Sequence, residues 1–260
     1  MLAYPQLTSG ALTQYPMQKR RRPRTILNAL ADGSAIKLAD DLGETTEWQL
    51  QYTGLSDEEA TTLQQFFEAA EGSLNTFTFL DPTGNLFAWS DQLDDAGWTK
   101  GPFLSLAGGV ADATGGTSGW HIENAGAGAQ SLTQTLAAPA GYLYCLSAYV
   151  KSSQGVQSIT LLRADERADR PVGADWQRIL FVGQGDAASS SIVFGIEAPA
   201  GASLDVFGLQ VEAQAAASAY KPSTTGGVYT HTAFRDDLLS LTATDLNRHS
   251  TTVNLIHAIG

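Results

Sequence analysis

The sequence predicts a mainly β protein, in which a β domain with one α-helix carries an inserted β-sandwich. Three observations predict this architecture. Residues 56–72 show the spacing of an amphipathic helix. The segments around this helix alternate apolar and polar residues, or are rich in β-branched and aromatic residues, as strands are. Beyond residue 85 the chain becomes dense in Gly, Ala, Ser and Thr, and short apolar runs alternate with turn residues, which is typical of a sandwich.

The helix has a predicted start and a predicted end. Ser56 is placed to cap the first turn through its hydroxyl group, while Glu59 reaches back toward the cap, as in a capping box. Gly72 is expected to follow the helix as its C′ residue. The apolar positions recur every three to four residues and form one stripe, which consists of Ala60, Leu63, Phe66, Phe67 and Ala70.

The strands of the first domain are predicted from turn residues and from alternation. Asp32-Gly33 suits a two-residue hairpin turn, which needs residues that tolerate positive φ. Strands are therefore expected on both sides of this turn and around the helix, over residues 25–30, 34–38, 47–52 and 77–80. The last apolar run, residues 250–258, also has the composition of a strand, and we expect it to complete the same sheet.

The first domain is accordingly predicted to be discontinuous. It is expected to consist of residues 1–84 and 226–260, with the sandwich domain at residues 85–225. The sandwich strands are expected at residues 120–122, 130–136, 142–150, 158–163, 177–182, 192–196 and 204–212.

Composition narrows the classes of function. The 260 residues carry a formal net charge of −12, which disfavours general nucleic-acid binding, because such binding relies on basic surfaces that displace counterions. The longest apolar runs, such as residues 142–150, are far shorter than the roughly 20 residues of a membrane span, so we expect no membrane insertion. The single cysteine, Cys145, lies in such a run and is expected to be buried in a strand.

Motifs of catalysis and of cofactor binding are missing from the sequence. The four histidines, His121, His231, His249 and His257, have no metal-ligand spacing. No nucleophile-elbow motif and no phosphate-binding loop are found. We therefore expect no catalytic residue, no cofactor, no metal and no enzymatic activity.

Several segments resemble those of known proteins. A basic run before the hairpin, the capped helix and Phe77-Thr-Phe-Leu-Asp-Pro82 resemble the distal tail proteins, or related minor tail proteins, of long-tailed bacteriophages and phage-like gene transfer particles. The second domain resembles the carbohydrate-binding-like jelly rolls of tail proteins, in the segments Asn85-Leu-Phe-Ala-Trp89, Trp98-Thr-Lys100, Gly208-Leu-Gln-Val-Glu212 and Tyr220-Lys-Pro222.

The resemblance implies a structural role in a virion tail that assembles in the bacterial cytoplasm. The β domain with one helix would form a homo-oligomeric ring, usually of six subunits, that joins the tail tube to the hub or baseplate and presents peripheral domains. The alternative is a receptor-binding protein whose sandwich domain recognises a glycan on the host surface.

Two groups of residues are candidates for these roles. The basic run consists of Lys19, Arg20, Arg21, Arg22 and Arg24, and we expect it to pair with acidic groups of a neighbouring subunit, although a solvated surface or a nucleic-acid contact stays open. Trp120 and Trp176 are candidate platforms for a sugar ring, with burial in the core as the alternative. Arg163 opens a charged stretch that either contacts a polar ligand or forms an exposed loop.

Overall fold

The structure, a computed structural model, describes residues 2–258 apart from the side chain of Asp41. Within these residues the chain forms one α-helix and sixteen β-strands. The helix α1 is Asp57–Ala69, and the strands are β1 (Met17–Ala29), β2 (Ala35–Leu55), β3 (Phe77–Leu80), β4 (Thr99–Lys100), β5 (Leu104–Val110), β6 (Gly119–Asn124), β7 (Gln130–Leu136), β8 (Tyr144–Ser152), β9 (Gln157–Arg163), β10 (Glu166–Val172), β11 (Gln177–Gly183), β12 (Ile192–Ala198), β13 (Ser203–Glu212), β14 (Val228–Phe234), β15 (Thr242–Asp245) and β16 (Arg248–Ala258).

The chain divides into two compact units. The second unit consists of Ser9–Leu12 and Leu80–Val228, and the first unit consists of the segments around it. The sequence pattern placed the boundaries after residues 84 and 225, slightly inside this unit. The segments nearest the boundaries belong to the second unit because they bind each other, and the Asp81 N–H donates to the Gly227 carbonyl at 2.8 Å.

The first unit is built on one six-stranded sheet with the order β1-β2-β16-β14-β3, in which β15 also pairs with β16. The C-terminal strand β16 lies in the middle of this sheet. Val253 pairs with Leu50, and Leu255 pairs with Trp48. All four side chains are buried, so the last strand of the chain supplies part of the core of the first unit.

The β1–β2 hairpin differs from the predicted hairpin in three respects. The strands predicted at residues 34–38 and 47–52 are one continuous strand, β2, and β1 includes the basic run. The loop has three residues, because Leu30 and Ser34 close it and Gly33 takes the left-handed conformation at φ 84°. The register shifts beside Pro23, which has no N–H to donate to the ladder.

The helix begins as predicted, but its C′ residue comes one position earlier than predicted. Both hydrogen bonds of the capping box between Ser56 and Glu59 are present. The C′ position is taken by Glu71, at φ 53°, rather than by Gly72. The Glu71 N–H donates to the Glu68 carbonyl, and the Gly72 N–H donates to the Phe67 carbonyl at 3.1 Å, which together form a Schellman motif. Among the described residues, no helix combines the length and the apolar character that crossing a membrane requires.

An aromatic cluster forms the core between the helix and the sheet. Phe66 contacts Phe77 at 4.9 Å and Tyr4 at 5.6 Å between ring centroids, both edge to face. Phe234 closes the cluster against Phe67 at 4.9 Å. Such pairs contribute about 0.5–1.5 kcal/mol each beyond the area that they bury.

The second unit is a sandwich of two five-stranded antiparallel sheets, with the orders β10-β9-β12-β7-β4 and β11-β8-β13-β6-β5. The interior strand β8 is buried on nearly its whole length, including Cys145, whose pKa is raised by burial to about 11. The charged stretch after Arg163 is strand β10 rather than a loop. This strand was not predicted because it is an edge strand, in which only Val172 is buried, so no apolar alternation marks it.

Candidate functional site

The basic run lies on β1, which is the outer strand of the first unit's sheet. Three of its arginines contact carboxylates on β2 of the same hairpin. Arg21 bonds Glu44, while Arg22 Nε lies 3.5 Å from Glu47 and Arg24 Nε lies 3.3 Å from Asp40. The bond from Arg21 lowers the pKa of the Glu44 carboxyl group. More than half of the surface of each guanidinium side chain stays exposed, at 73%, 57% and 64%, so these arginines retain free donors.

The other two basic residues differ from these three. Lys19 turns toward aromatic side chains: its Nζ lies 3.4 Å from the Tyr229 hydroxyl and 5.8 Å from the centre of the Trp48 ring. Arg20 Nη2 donates to Gln18 at 2.6 Å and lines a shallow cleft with Glu47 and Arg235. The sequence therefore placed five cations on one strand, and the strand alternation distributes them over its two faces.

The end of the same hairpin, residues 25–39, is here called the hairpin tip. Strand β16 pairs with β2 only from Thr45 onward, so within the described residues β1 is the only neighbour of the tip half of β2. The tip is thus a two-stranded ribbon that extends past its sheet. Such ribbons are at best marginally stable in water unless one face is covered.

One face of the hairpin tip is apolar. Ile26 pairs with Leu38, and Asn28 pairs with Ile36. Directly paired residues point to the same face, and Leu30 continues the alternation on that face. The four apolar side chains are exposed, with Ile26 at 38%, Leu30 at 44%, Ile36 at 47% and Leu38 at 49%. Sequence reasoning did not single out this face, although the alternation of Ile36, Lys37 and Leu38 was a signal for it.

The second unit places the predicted sugar contacts in different environments. Trp120 donates its indole N–H to the Asp91 carbonyl at 3.0 Å, and its ring lies against Gly108. Arg163 is 3% exposed and stacks on the Phe181 ring at 4.2 Å, inside the sandwich. Trp176 is half-buried, with the Lys151 ammonium 4.9 Å from its ring centre. The three residues do not converge on one site.

Trp176 adjoins a row of polar side chains on the outer face of the second sheet. Asp205 contacts Lys151 at 3.4 Å and His121 Nδ1 at 2.7 Å, and His121 Nε2 lies 3.3 Å from the Ser203 hydroxyl. The order of these groups is that of a nucleophile, a base and an acid. The Ser203 N–H donates to the Gln157 side chain, however, so this backbone donor is engaged and does not point to a reacting oxygen. The row is a hydrogen-bonded surface beside an aromatic ring.

The motif residues that resemble carbohydrate-binding-like modules have structural partners. Gln210 Oε1 accepts the Lys221 N–H at 2.8 Å. Glu212 is 3% exposed and accepts bonds from both the N–H and the hydroxyl group of Ser218. These bonds fasten the segment after β13 to its own sheet. Gln210 and Glu212 therefore serve the construction of the sandwich.

No family model matches the chain, and no curated protein matches it. Solved structures that resemble it include the enzymatically active domain of tailspike protein 4 of bacteriophage CBA120, at 14% identity and TM-score 0.39 over 52% of this chain. The chain spans only 22% of that tailspike chain.

Carbohydrate-binding modules are also among the similar structures. The CBM22-1 xylan-binding domain of Paenibacillus barcinonensis Xyn10C matches at 17% identity and TM-score 0.41, over 53% of this chain and 99% of that domain. The CBM22-1–CBM22-2 tandem domain of the same protein matches at 16% identity and TM-score 0.42, over 66% of this chain and 62% of the tandem. At identities and TM-scores this low, these similarities assign no function to this chain.

Proposed function

We propose that the chain is a self-associating structural subunit of a phage-like tail tip. Its copies would meet through the hairpin tip and form a closed ring that joins the tail tube to the hub or baseplate. The observation that carries this proposal is the apolar face of the hairpin tip, which an isolated subunit leaves in water. The resemblance of the basic run, the capped helix and residues 77–82 to distal tail proteins supports the same role.

The hairpin tip is large enough to contribute to an interface. Fully burying an aliphatic side chain of this size stabilises by about 1.5–3 kcal/mol. Four such side chains that are already half covered would add on the order of 4 kcal/mol per contact, before the cost of association is subtracted. A single contact of this size is weak, but a closed ring contains one such contact for each of its subunits.

Charge argues that the partner is a second copy of the chain. Strand β1 carries five of the fifteen basic residues and none of the 27 acidic ones. Arg21, Arg22 and Arg24 stay more than half exposed beside their β2 carboxylates, so β1 would still attract acidic groups of another copy. Opposite charges of this kind orient the encounter and fix its register more than they add affinity. Under this proposal the chain acts by assembly in a virion tail rather than by catalysis.

The test is the mass of the purified chain in solution, measured over a range of concentrations. We expect the wild type to form a closed oligomer and the double variant Ile26→Ser/Leu38→Ser to remain monomeric. Leu27→Ser is the matched control, because Leu27 is 63% exposed on the opposite face of the same ribbon, and this variant should still associate. A wild type that stays monomeric at every concentration, or equal masses for both variants, would contradict the proposal.

Glycan recognition by the second unit is the second candidate function. The half-buried ring of Trp176 beside Lys151, Asp205 and His121 favours it, because a partly exposed aromatic ring beside polar groups is the usual composition of a sugar site. A glycan array probed with the full chain and with Trp176→Ala tests this candidate. Phe103→Ala is the control, since it removes another exposed aromatic ring from the same unit.

A further inference from the structure

A cleft of about 230 Å³ opens in the second unit between the segment that precedes the sandwich strands and the segment that follows them. It is lined by Trp89, Asp91, Gln92, Pro222, Ser223 and Thr224. Clefts that take a drug-sized molecule measure roughly 300–1,000 Å³. This cleft has room for one small ring.

Trp89 holds an uncommon backbone conformation at the cleft. Its φ is 51°, in the left-handed region that bulky residues rarely adopt. Strain of this kind costs on the order of 1–3 kcal/mol and persists where the surroundings fix it. Here the Trp89 carbonyl accepts bonds from the Trp98 indole at 3.1 Å and from the Gln92 N–H at 3.0 Å.

The segment before Trp89 is held as well. The Gln134 side chain forms two hydrogen bonds with the backbone of Ala88. Its amide oxygen accepts the Ala88 N–H at 2.8 Å, and its amide nitrogen donates to the Ala88 carbonyl at 3.1 Å. The Trp89 N–H donates to the Thr224 carbonyl at 3.3 Å. The ring of Trp89 is therefore presented by a rigid frame, which lowers the cost of ordering it when a ligand binds.

The indole of Trp89 differs from those of its neighbours. The N–H groups of Trp98 and Trp120 donate to backbone carbonyls. The N–H of Trp89 has no acceptor among the residues that the structure describes, and it is not among the buried atoms that lack a partner. An indole donor of this kind is open to an incoming acceptor.

The polar side chains of the cleft are a carboxylate, an amide and two hydroxyl groups, of which the Ser223 hydroxyl already accepts the Gly226 N–H at 2.8 Å. Asp91 accepts the Tyr220 hydroxyl group, which fixes the carboxylate at the cleft wall. The side chains of Gln92 and Thr224 have no hydrogen-bond partner among the described residues, so they remain available to a ligand. Asp91 is the only charged residue in the lining, and its negative charge disfavours phosphates and other anions.

We propose that this cleft binds one neutral, hydroxyl-bearing six-membered ring, that is, a single pyranose unit of a glycan. The apolar face of the ring lies on the Trp89 indole. Asp91 accepts from its hydroxyl groups, and Gln92 and Thr224 complete the contacts. This site is separate from the Trp176 surface and does not depend on assembly through the hairpin tip.

The full chain is titrated with methyl glycosides of glucose, galactose and mannose, with N-acetylglucosamine and with glucuronic acid. Binding is followed by saturation transfer to the sugar and by the shift of the Trp89 indole N–H signal, assigned by its loss in Trp89→Phe. We expect millimolar binding of at least one neutral sugar and at least tenfold weaker binding of glucuronic acid.

Variants decide which residues bind. Trp89→Gly removes the ring and the backbone strain together, so it should fold and lose binding at least tenfold. Gln92→Ala changes an exposed side chain and should weaken binding severalfold. Trp176→Ala should leave binding at the cleft unchanged. The inference is overturned if no sugar of the panel shifts the Trp89 signal, or if Trp176→Ala abolishes binding while Trp89→Gly retains it.

Discussion

Asn85 and Val211 lie 126 residues apart in the chain and are joined by a hydrogen bond near the two ends of the second unit, beside a second bond from the neighbouring Leu86. The Val211 N–H donates to Asn85 Oδ1 at 3.1 Å, and the Leu86 N–H donates to the Val211 carbonyl at 2.9 Å. Asn85 Nδ2 also donates to the Leu209 carbonyl at 2.8 Å. A unit whose first and last segments bind each other leaves and returns to its host chain at one place, which makes it suitable for insertion.

Asn85→Ala should destabilise the second unit strongly. Asn85 is 1% exposed, and the change leaves the Leu209 carbonyl and the N–H groups of Phe87 and Val211 without their partner. Each buried group that loses its partner costs about 1–3 kcal/mol, so we expect a loss on the order of 3 kcal/mol or more. Denaturant unfolding measures it. Asn28→Ala, at an exposed position, should change the midpoint little, and equal effects would contradict the assigned role.

Gly208→Ala should destabilise more than Gly201→Ala. Both glycines have a left-handed backbone, at φ 65° and 70°, so both changes carry the same backbone penalty of about 1–2 kcal/mol. A Cβ at position 208 would lie 3.1 Å from the Tyr220 ring, whereas one at position 201 meets open space. We therefore expect Gly208→Ala to lose roughly 1 kcal/mol more, through the forced shift of Tyr220. Thermal unfolding of the two variants side by side decides the point.

His257 should make the first unit sensitive to mild acid. Burial lowers the pKa of His257 below its usual range, and the charge of His231 acts in the same direction. The unfolded chain binds a proton at this residue below about pH 6.5, whereas the folded chain binds it only at a lower pH. The stabilisation is thus complete above about pH 6.5 and is lost as the pH falls through the folded pKa. Thermal midpoints between pH 7.5 and 5 should fall less steeply for His257→Gln, and parallel curves would refute this.

Asp112 should hold the β5–β6 loop in its folded conformation down to strongly acidic pH. Its carboxylate accepts bonds from the Thr114 side chain and from the N–H groups of Thr114, Gly116 and Ser118, and these lower its pKa to about 2. Because the folded pKa lies below the unfolded one, the stabilisation is present above about pH 4 and is lost as the pH falls through 2.

Asp112→Asn leaves one acceptor oxygen in place of two. We expect hydrogen exchange of the Ser118 amide, which binds Asp112 Oδ2, to accelerate more than exchange of the Thr114 amide, which binds Oδ1. Asp95→Asn serves as the control, since among the described residues the Asp95 carboxylate accepts only the Gly97 N–H, in another loop. Unchanged exchange at Ser118 would show that the loop does not depend on the carboxylate.

Much of the local structure followed from short-range chemistry. Ser56 and Glu59 cap the helix as predicted, because a capping box depends only on residues three apart. The apolar stripe that includes Leu63 and Phe66 is buried, since helical spacing decides which side chains share a face. The apolar runs of the long buried strands β8 and β13 were equally visible.

The predictions of secondary structure were wrong where a segment is extended only because it pairs with a neighbouring strand. β10 and the middle of β2 are polar, and they are extended because β9 and β1 offer them a ladder and opposite charges. Propensity at a single position does not report such pairing. The candidate sugar contacts also depend on distant partners: Trp120 donates to the Asp91 carbonyl, and Arg163 stacks on Phe181 inside the sandwich.

The sequence by itself determined the mainly β class and the single capped helix, because spacing and residue type fix these locally. Only the tertiary structure decided that the hairpin tip projects with one apolar face uncovered, that Trp89 keeps an open indole donor while Trp120 does not, and that Asn85 meets Val211. Exposure and hydrogen bonding between distant residues depend on where the chain returns in space, and that position results from the packing of the whole core.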